Sequence, residues 1–321
     1  MIFDPDSESS QSGFVFKVAL QGNKSLLLPF FNNCMRRICT IILFSVAFLS
    51  GYSARAQSYF TRTEIGFSGG MSQYFGDLNE HYGFKTMAPS YGIYVRRKIN
   101  SYIALKAVAN YTKLSYDDKF NTGDPYSLDR NLNFSTPIME VALQAEFNFF
   151  KFITGDPQYR FTPYLTGGIG GFYYNPSTTY QGAKVFLQPL GTEGQNVGYQ
   201  RKYSNFSVCA PIGVGVKFWL KGGINLSLEI ADRLTTTDYI DDVSSTYVGA
   251  DKFPTGHANP ALALQNRSGE IVGYTTLGEG GKQRGNASSF DQYLMAQFSI
   301  SFHFTSYRCP QDLDAGLIRT Y

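Results

Sequence analysis

Three aspartates fall within five positions of the stretch TDYIDDVSSTY, Thr237 to Tyr247: Asp238, Asp241 and Asp242. Carboxylates this close could ligate a cation, act as acid and base, or cap backbone N–H groups. The stretch lacks the glycine turn and terminal glutamate of a calcium-binding loop. The expectation is an acidic loop whose aspartates fix a strand's exit, with a bound cation as the alternative. Other chemistry is sparse. The chain has three histidines, His81, His257 and His303, and no Cys/His zinc spacing. A serine hydrolase would need a histidine held beside a serine, and nothing in sequence orients one. The glycine-rich TGGIGG, Thr166 to Gly171, is followed by neither Lys-Ser/Thr nor a helix, so it does not read as a phosphate loop. No catalytic residue, cofactor or metal site is expected, and the chain reads as a non-enzyme.

Position in the chain decides what these residues do. From Met35, a basic pair (Arg36, Arg37), an apolar run (Ile38 to Leu49) and the small-x-small box Ala54-Arg55-Ala56 follow in order. That is a secretory signal, too short in its apolar part to span a membrane. Residues 35–56 are assigned to it, and residues 1–34 to a mis-assigned N-terminal extension. Cleavage before Gln57 removes five basic and three acidic residues from totals of 28 and 25, leaving 23 against 22. So balanced a charge offers no footprint for nucleic acid.

The mature chain lacks helical periodicity and is rich in two-residue alternation. Eight segments are expected as strands, at about 62–76, 89–99, 101–117, 133–151, 160–174, 202–219, 223–238 and 290–305. In the fourth, Met139, Val141, Leu143, Ala145, Phe147 and Phe149 share one face, and Glu140, Gln144, Glu146 and Asn148 the other. These runs exceed a soluble strand's usual five or six residues and suit a spanning β-strand of about 9–11. The apolar face is expected to carry no charge across a membrane's depth. The opposite face carries Lys106, Glu140, Glu146, Lys217 and Glu229. Short and long connections alternate, with long ones at about 77–88, 118–132, 175–201 and 239–289.

The pattern predicts an all-β fold: an eight-stranded antiparallel transmembrane β-barrel of outer-membrane type over residues 57–307, with long extracellular loops and short periplasmic turns. Residues 308–321 form a periplasmic C-terminal tail. A barrel this narrow is filled by its side chains, so paired ions should plug it. Pro211, inside the sixth strand, predicts a bulge or local break. Cys209 is placed facing the lumen at mid-strand and Cys309 in the tail, too far apart for a mutual disulfide. An intermolecular disulfide through Cys309, with Arg308 and Pro310 beside it, is the expected partner contact.

Three pieces together carry a resemblance: QYFGDLN (Gln73 to Asn79) closing the first strand, TDYIDDVSSTY after the seventh, and FSISFHF leading to Arg308-Cys309-Pro310. The chain resembles the PorG-like outer-membrane proteins of the type IX secretion system, the family labelled DUF6089. Gly76, Asp77, Leu78, Asn79, Asp238, Tyr239, Asp241 and Asp242 carry the family motifs here. The resemblance implies residence in the outer membrane, contact with its lipid, and anchoring of periplasmic ring subunits of the secretion and gliding machinery. Two rivals stay open: a small surface barrel that binds ligands or surfaces through its outer loops, and an outer-leaflet lipid-modifying enzyme.

Overall fold

The computed structural model describes residues 63–304, except 81, 255–258 and 272–276. The expected signal segment, tail, His81, His257, Cys309, Arg308 and Pro310 lie outside the described residues. Ten strands occur. Eight are long: β1 (Thr63–Phe75), β2 (Ala88–Lys98), β3 (Ile103–Asp117), β4 (Asn133–Asn148), β5 (Phe161–Tyr174), β8 (Phe206–Lys221), β9 (Ile224–Thr235) and β10 (Gln292–Phe304). Each pairs antiparallel with two neighbours, and β3 pairs with β4 as well as β2, so the eight close into a barrel. A hairpin of β6 (Ser177–Tyr180) and β7 (Ala183–Phe186) adds to the β4 edge beyond it. It was not expected; its strands are four residues each, too short for alternation to register.

The register fixes the shape. From Thr235 the row of paired residues runs through Cys209, Gly170, Ala142, Val108, Tyr94, Gly66 and Ser301, and returns to β9 at Asn225. The return falls ten residues lower, 235 against 225. Eight strands with that stagger tilt by about 40° and enclose a radius of about 8 Å, at about 3.3 Å per residue and about 4.8 Å between strands. Only side chains fit inside.

Inside and outside follow the alternation. Val141, Leu143 and Ile169 are about two-thirds exposed on the outward face. In water that wall would forfeit the burial that drives folding; surrounded by lipid it is the expected solvent contact of an outer-membrane-type barrel. Among the described residues, no helix is long and apolar enough to cross a membrane. The inward face holds a buried ionic ladder. Glu64 pairs with Lys98 (2.6 Å) and Arg96 (3.1 Å), and Arg96 continues to Glu146 (2.8 Å). Glu146 also takes Lys217 at 2.6 Å and Lys106 at 3.6 Å, and Lys106 reaches Glu229 at 2.6 Å. Nearer the loop end, Glu140 pairs with Arg233 and accepts from Tyr293 and Asn110. Each of these charges has an opposite partner, which is the condition for burying it.

Two expectations need correction, and a third holds only in part. Asp232 places a half-buried carboxylate on the outward row between Ile230 and Leu234, paired across to Ile212 and Leu294. It lies three residues from the loop end of β9, where depth and therefore the desolvation cost are small. Pro211 makes the local break of the two expected outcomes, and no bulge. The β8–β9 register runs through it unchanged, and on the β5 side pairing lapses between Ile212 and Cys209 without a register change. The missing N–H costs a bond, not an extra residue; the irregularity of β8 sits at Trp219/Lys221 instead. Cys209 is inward, buried and free, but near the loop end, opposite Thr235, the last residue of β9. TGGIGG is the middle of β5, where Gly168 lets the β4 backbone at Leu143 come close.

Residues 99–102, 149–160 and 222–223 connect strands at one end, the short-turn end, and 76–87, 118–132, 175–205 and 236–291 at the other. The expected alternation of short and long holds except that 149–160 is as long as 76–87, twelve residues each. The long loops carry two six-residue helices, α1 (Pro125–Arg130) and α2 (Pro260–Gln265), each capped by the residue before it, Asp124 and Asn259.

Candidate functional site

The long loops fold inward and close one mouth of the barrel. Leu78, Leu132, Ile240 and Val243 from the loops pack with inward strand residues Tyr74, Phe134, Ile138, Phe172, Tyr293 and Met295 in one buried cluster. Apolar burial holds this cap down, and polar groups must then be satisfied beneath it.

The acidic stretch lies inside the cap. Asp238, Asp241 and Asp242 are 6, 2 and 0 % exposed, which corrects the expectation of an acidic loop at the strand's exit. The backbone-capping role holds in part: Asp241 accepts from the Val243 N–H at 2.9 Å. Asp242, in the left-handed region at φ 67°, accepts from Tyr203 Oη at 2.6 Å and from Thr192. Tyr203 stacks on Tyr239, with ring centroids 4.4 Å apart, and on Tyr174. The other motif meets this one. Asp77 accepts from the Asn286 N–H, and Leu78 is in the apolar cluster. Asn79 donates to Tyr74 O and Gly83 O and accepts from the Gly83 N–H, tying the first loop into a turn. Gly76 is a close-approach position: a Cβ there would strike Asp291 Oδ1 and Tyr74 Oη.

The structure thus brings Gly76, Asp77, Leu78 and Asn79 together with Asp238, Tyr239, Asp241 and Asp242, and adds residues that sequence reasoning missed. Tyr74 Oη lies 2.6 Å from Asp241 Oδ2 and 3.0 Å from Asp291 Oδ1. Asp291 Oδ2 accepts from the Ile240 N–H. Glu193 accepts from the Ser244 and Ser245 N–H groups and pairs with Arg284 at 2.9 Å. Arg130 forks onto Asp118 through Nε and Nη2, both at 2.8 Å, and donates to Asp77 O and Arg284 O. No local pattern marks these residues, because their partners come from other loops. Asp291, directly before the last strand, is the one whose position carried a hint.

Burial dominates the electrostatics. It raises Asp77 to about 7 and pushes Asp238 up to about 9, with neighbouring carboxylates adding to the latter. It raises Asp242 to about 6, against Arg284, Thr192 and Tyr203, which favour the charged form. Asp241 is raised by burial and then by the charge of Asp77, and Asp291 by burial and then by Asp241, Asp238 and Asp77. Among the described residues, no group of three His, Cys, Asp or Glu side chains could hold a metal ion. The arrangement positions protons and loops. Of the three histidines only His303 is described, and it lies at the opposite, short-turn end.

Neisserial surface protein A has 12 % identity, covers 77 % of this chain and 100 % of its own, and superposes with a TM-score of 0.37. The N-terminal β-barrel domain of Pseudomonas aeruginosa OprF has 11 % identity, coverage of 76 % and 99 %, and a TM-score of 0.32. Ail, the attachment invasion locus protein of Yersinia pestis, has 7 % identity in its complex with the heparin analogue sucrose octasulfate, coverage of 75 % and 97 %, and a TM-score of 0.35. At these values the barrel assignment rests on strand pairing and closure. No curated protein matches the sequence. Residues 37–255 match the family described as Domain of unknown function (DUF6089). The match spans more than half of the chain, and the chain belongs to the DUF6089 family.

Proposed function

We propose that this protein is a non-enzymatic outer-membrane component of the type IX secretion and gliding machinery, which anchors the periplasmic ring complex to the membrane. The observation that carries the reading is the closed lumen: ion pairs fill the barrel and a loop cap covers one mouth. A barrel with neither a conduit nor a reactive cleft works through its surfaces. In this reading the short-turn end faces the periplasm, and Arg308, Cys309 and Pro310, which follow the last strand in sequence, supply the contact. Cys309 bonds a ring subunit by disulfide, while Cys209, buried and free, stays a thiol.

Deleting the gene and assaying export of secreted and surface proteins tests the anchor role; normal export overturns it. Non-reducing gels of native membranes test the disulfide, and a Cys309→Ser variant with unchanged bands ends that part. The rival reading, a surface barrel that binds through its outer loops, is favoured by the ordered cap. It gains support if trimming 245–285 abolishes surface binding while secretion stays intact.

A further inference from the structure

The cap contains more carboxylates than its cations can balance. Arg130 is engaged by Asp118 and Arg284 by Glu193. That leaves Asp77, Asp238, Asp241, Asp242 and Asp291 with no cation in an ion pair; Asp242 accepts from two hydroxyls, Tyr203 and Thr192, and the other four are drawn from the first and fourth long loops. The other titratable or charged groups packed around them are Tyr74 and Glu80 from the first strand and loop, Asp118 and Arg130 from the second loop, and Glu193 and Tyr203 from the third. The fourth loop adds Tyr239, Asp242 and Arg284.

Two geometric facts require protons here. The Tyr74 hydroxyl has one hydrogen, yet its oxygen lies within hydrogen-bond distance of Asp241 and Asp291 together. Both contacts can be hydrogen bonds only if one carboxyl carries a proton and donates it to Tyr74 Oη. Asp238 is 6 % exposed, with no cation paired to its carboxyl and only the Ser244 hydroxyl favouring its charged form. An isolated buried carboxylate is costly, whereas its neutral acid is far less so. Space is equally tight: a Cβ at Gly285 would strike Asp77 Oδ2, as one at Gly76 would strike Asp291.

We propose that Asp77, Asp238, Asp241 and Asp291 form a shared-proton carboxyl site that latches the cap onto the barrel mouth, and that loss of its protons releases the cap. Acidic surroundings keep it closed and alkaline ones loosen it. The raised positions of Asp77, about 7, and Asp238, about 9, agree in sign. A carboxyl raised on folding stabilises fully at low pH, and that contribution is lost as pH rises through its folded value. Release would uncover the Tyr74–Tyr293 apolar cluster and the amides of 240–245.

The test uses the full mature protein in lipid vesicles. Infrared difference spectra report protonated carboxyls by their C=O stretch, and amide hydrogen exchange reports closure of 240–245. The expected result is a protonated-carboxyl band at neutral pH that bleaches on alkalinisation and shrinks in Asp238→Asn. Exchange protection should fall over the same range, by about tenfold per pH unit for each proton lost. Asp291→Asn, a neutral side chain that can still donate to Tyr74, should hold the cap closed to a higher pH than in the parent protein, whereas Asp291→Ala should open it at every pH. The proposal is overturned by absence of the band at neutral pH. It is equally overturned if the Asn and Ala variants loosen the cap alike, or if calcium closes it and a chelator opens it.

Discussion

Replacing Glu146 by alanine should be among the most damaging single changes in the barrel wall. Its carboxylate sits 2.8 Å from Arg96, 2.6 Å from Lys217 and 3.6 Å from Lys106. Without it, Arg96 keeps Glu64 and Lys106 keeps Glu229, but Lys217 keeps only the neutral Asn148 amide oxygen at 3.0 Å. Breaking a buried pair and stranding one charge costs about 3–5 kcal/mol. That shifts the folding equilibrium by about two to three and a half powers of ten. Urea titration of folding into vesicles, followed by emission of the single tryptophan, Trp219, measures it. The double variant Glu146→Leu/Lys217→Met removes both charges and should recover most of the loss. If Glu146→Ala lies within about 0.5 kcal/mol of the parent protein, the range of an inconsequential surface change, the lumen is hydrated and the sealed interior is wrong.

Other perturbations separate the outward wall from the cap. Leu143→Arg, in the outward row of β4, should cost roughly 2–4 kcal/mol in the same titration, a loss absent if lipid does not contact that row. Asp232→Leu should hold or raise stability by up to about 1 kcal/mol, since its carboxylate meets Ile212 and Leu294; a clear loss would mean that a partner holds it. Gly76→Ala should loosen the cap without unfolding the barrel, read as faster tryptic cleavage in 236–291 with an unchanged heat-shifted gel band. Cleavage as slow as in the parent would show that the first loop has room to give.

Strand number, alternation and the inward face were legible in sequence because period-two patterning is local. Met139 to Phe149 alone separates the wall that faces out from the one that faces in. In β9 the outward row runs Ile224, Leu226, Leu228, Ile230 and then Asp232, a charge that alternation alone does not place near the loop end. Pro211 was read through its missing N–H, which local reasoning sees, without the β9 register that passes through it. The cap was not legible. Glu193 finds Arg284 across 91 residues, and Tyr74 finds Asp241 across 167. Long loops carry no periodicity that would announce such pairs. Of the site, sequence supplied the two motifs but neither their meeting nor their burial, so three buried aspartates looked like an ordinary loop.

A nitroxide scan of β4 from Met139 to Phe147, in a protein whose native cysteines have been replaced, addresses the barrel most directly. Labels at Met139, Val141, Leu143, Ala145 and Phe147 should collide with lipid-dissolved oxygen and be shielded from a water-soluble relaxant. Labels at the alternate positions, Glu140 to Glu146, should meet neither. If the odd positions instead respond to the aqueous relaxant, or the protein stays in solution without detergent while they are shielded from both, the lipid-facing wall does not exist.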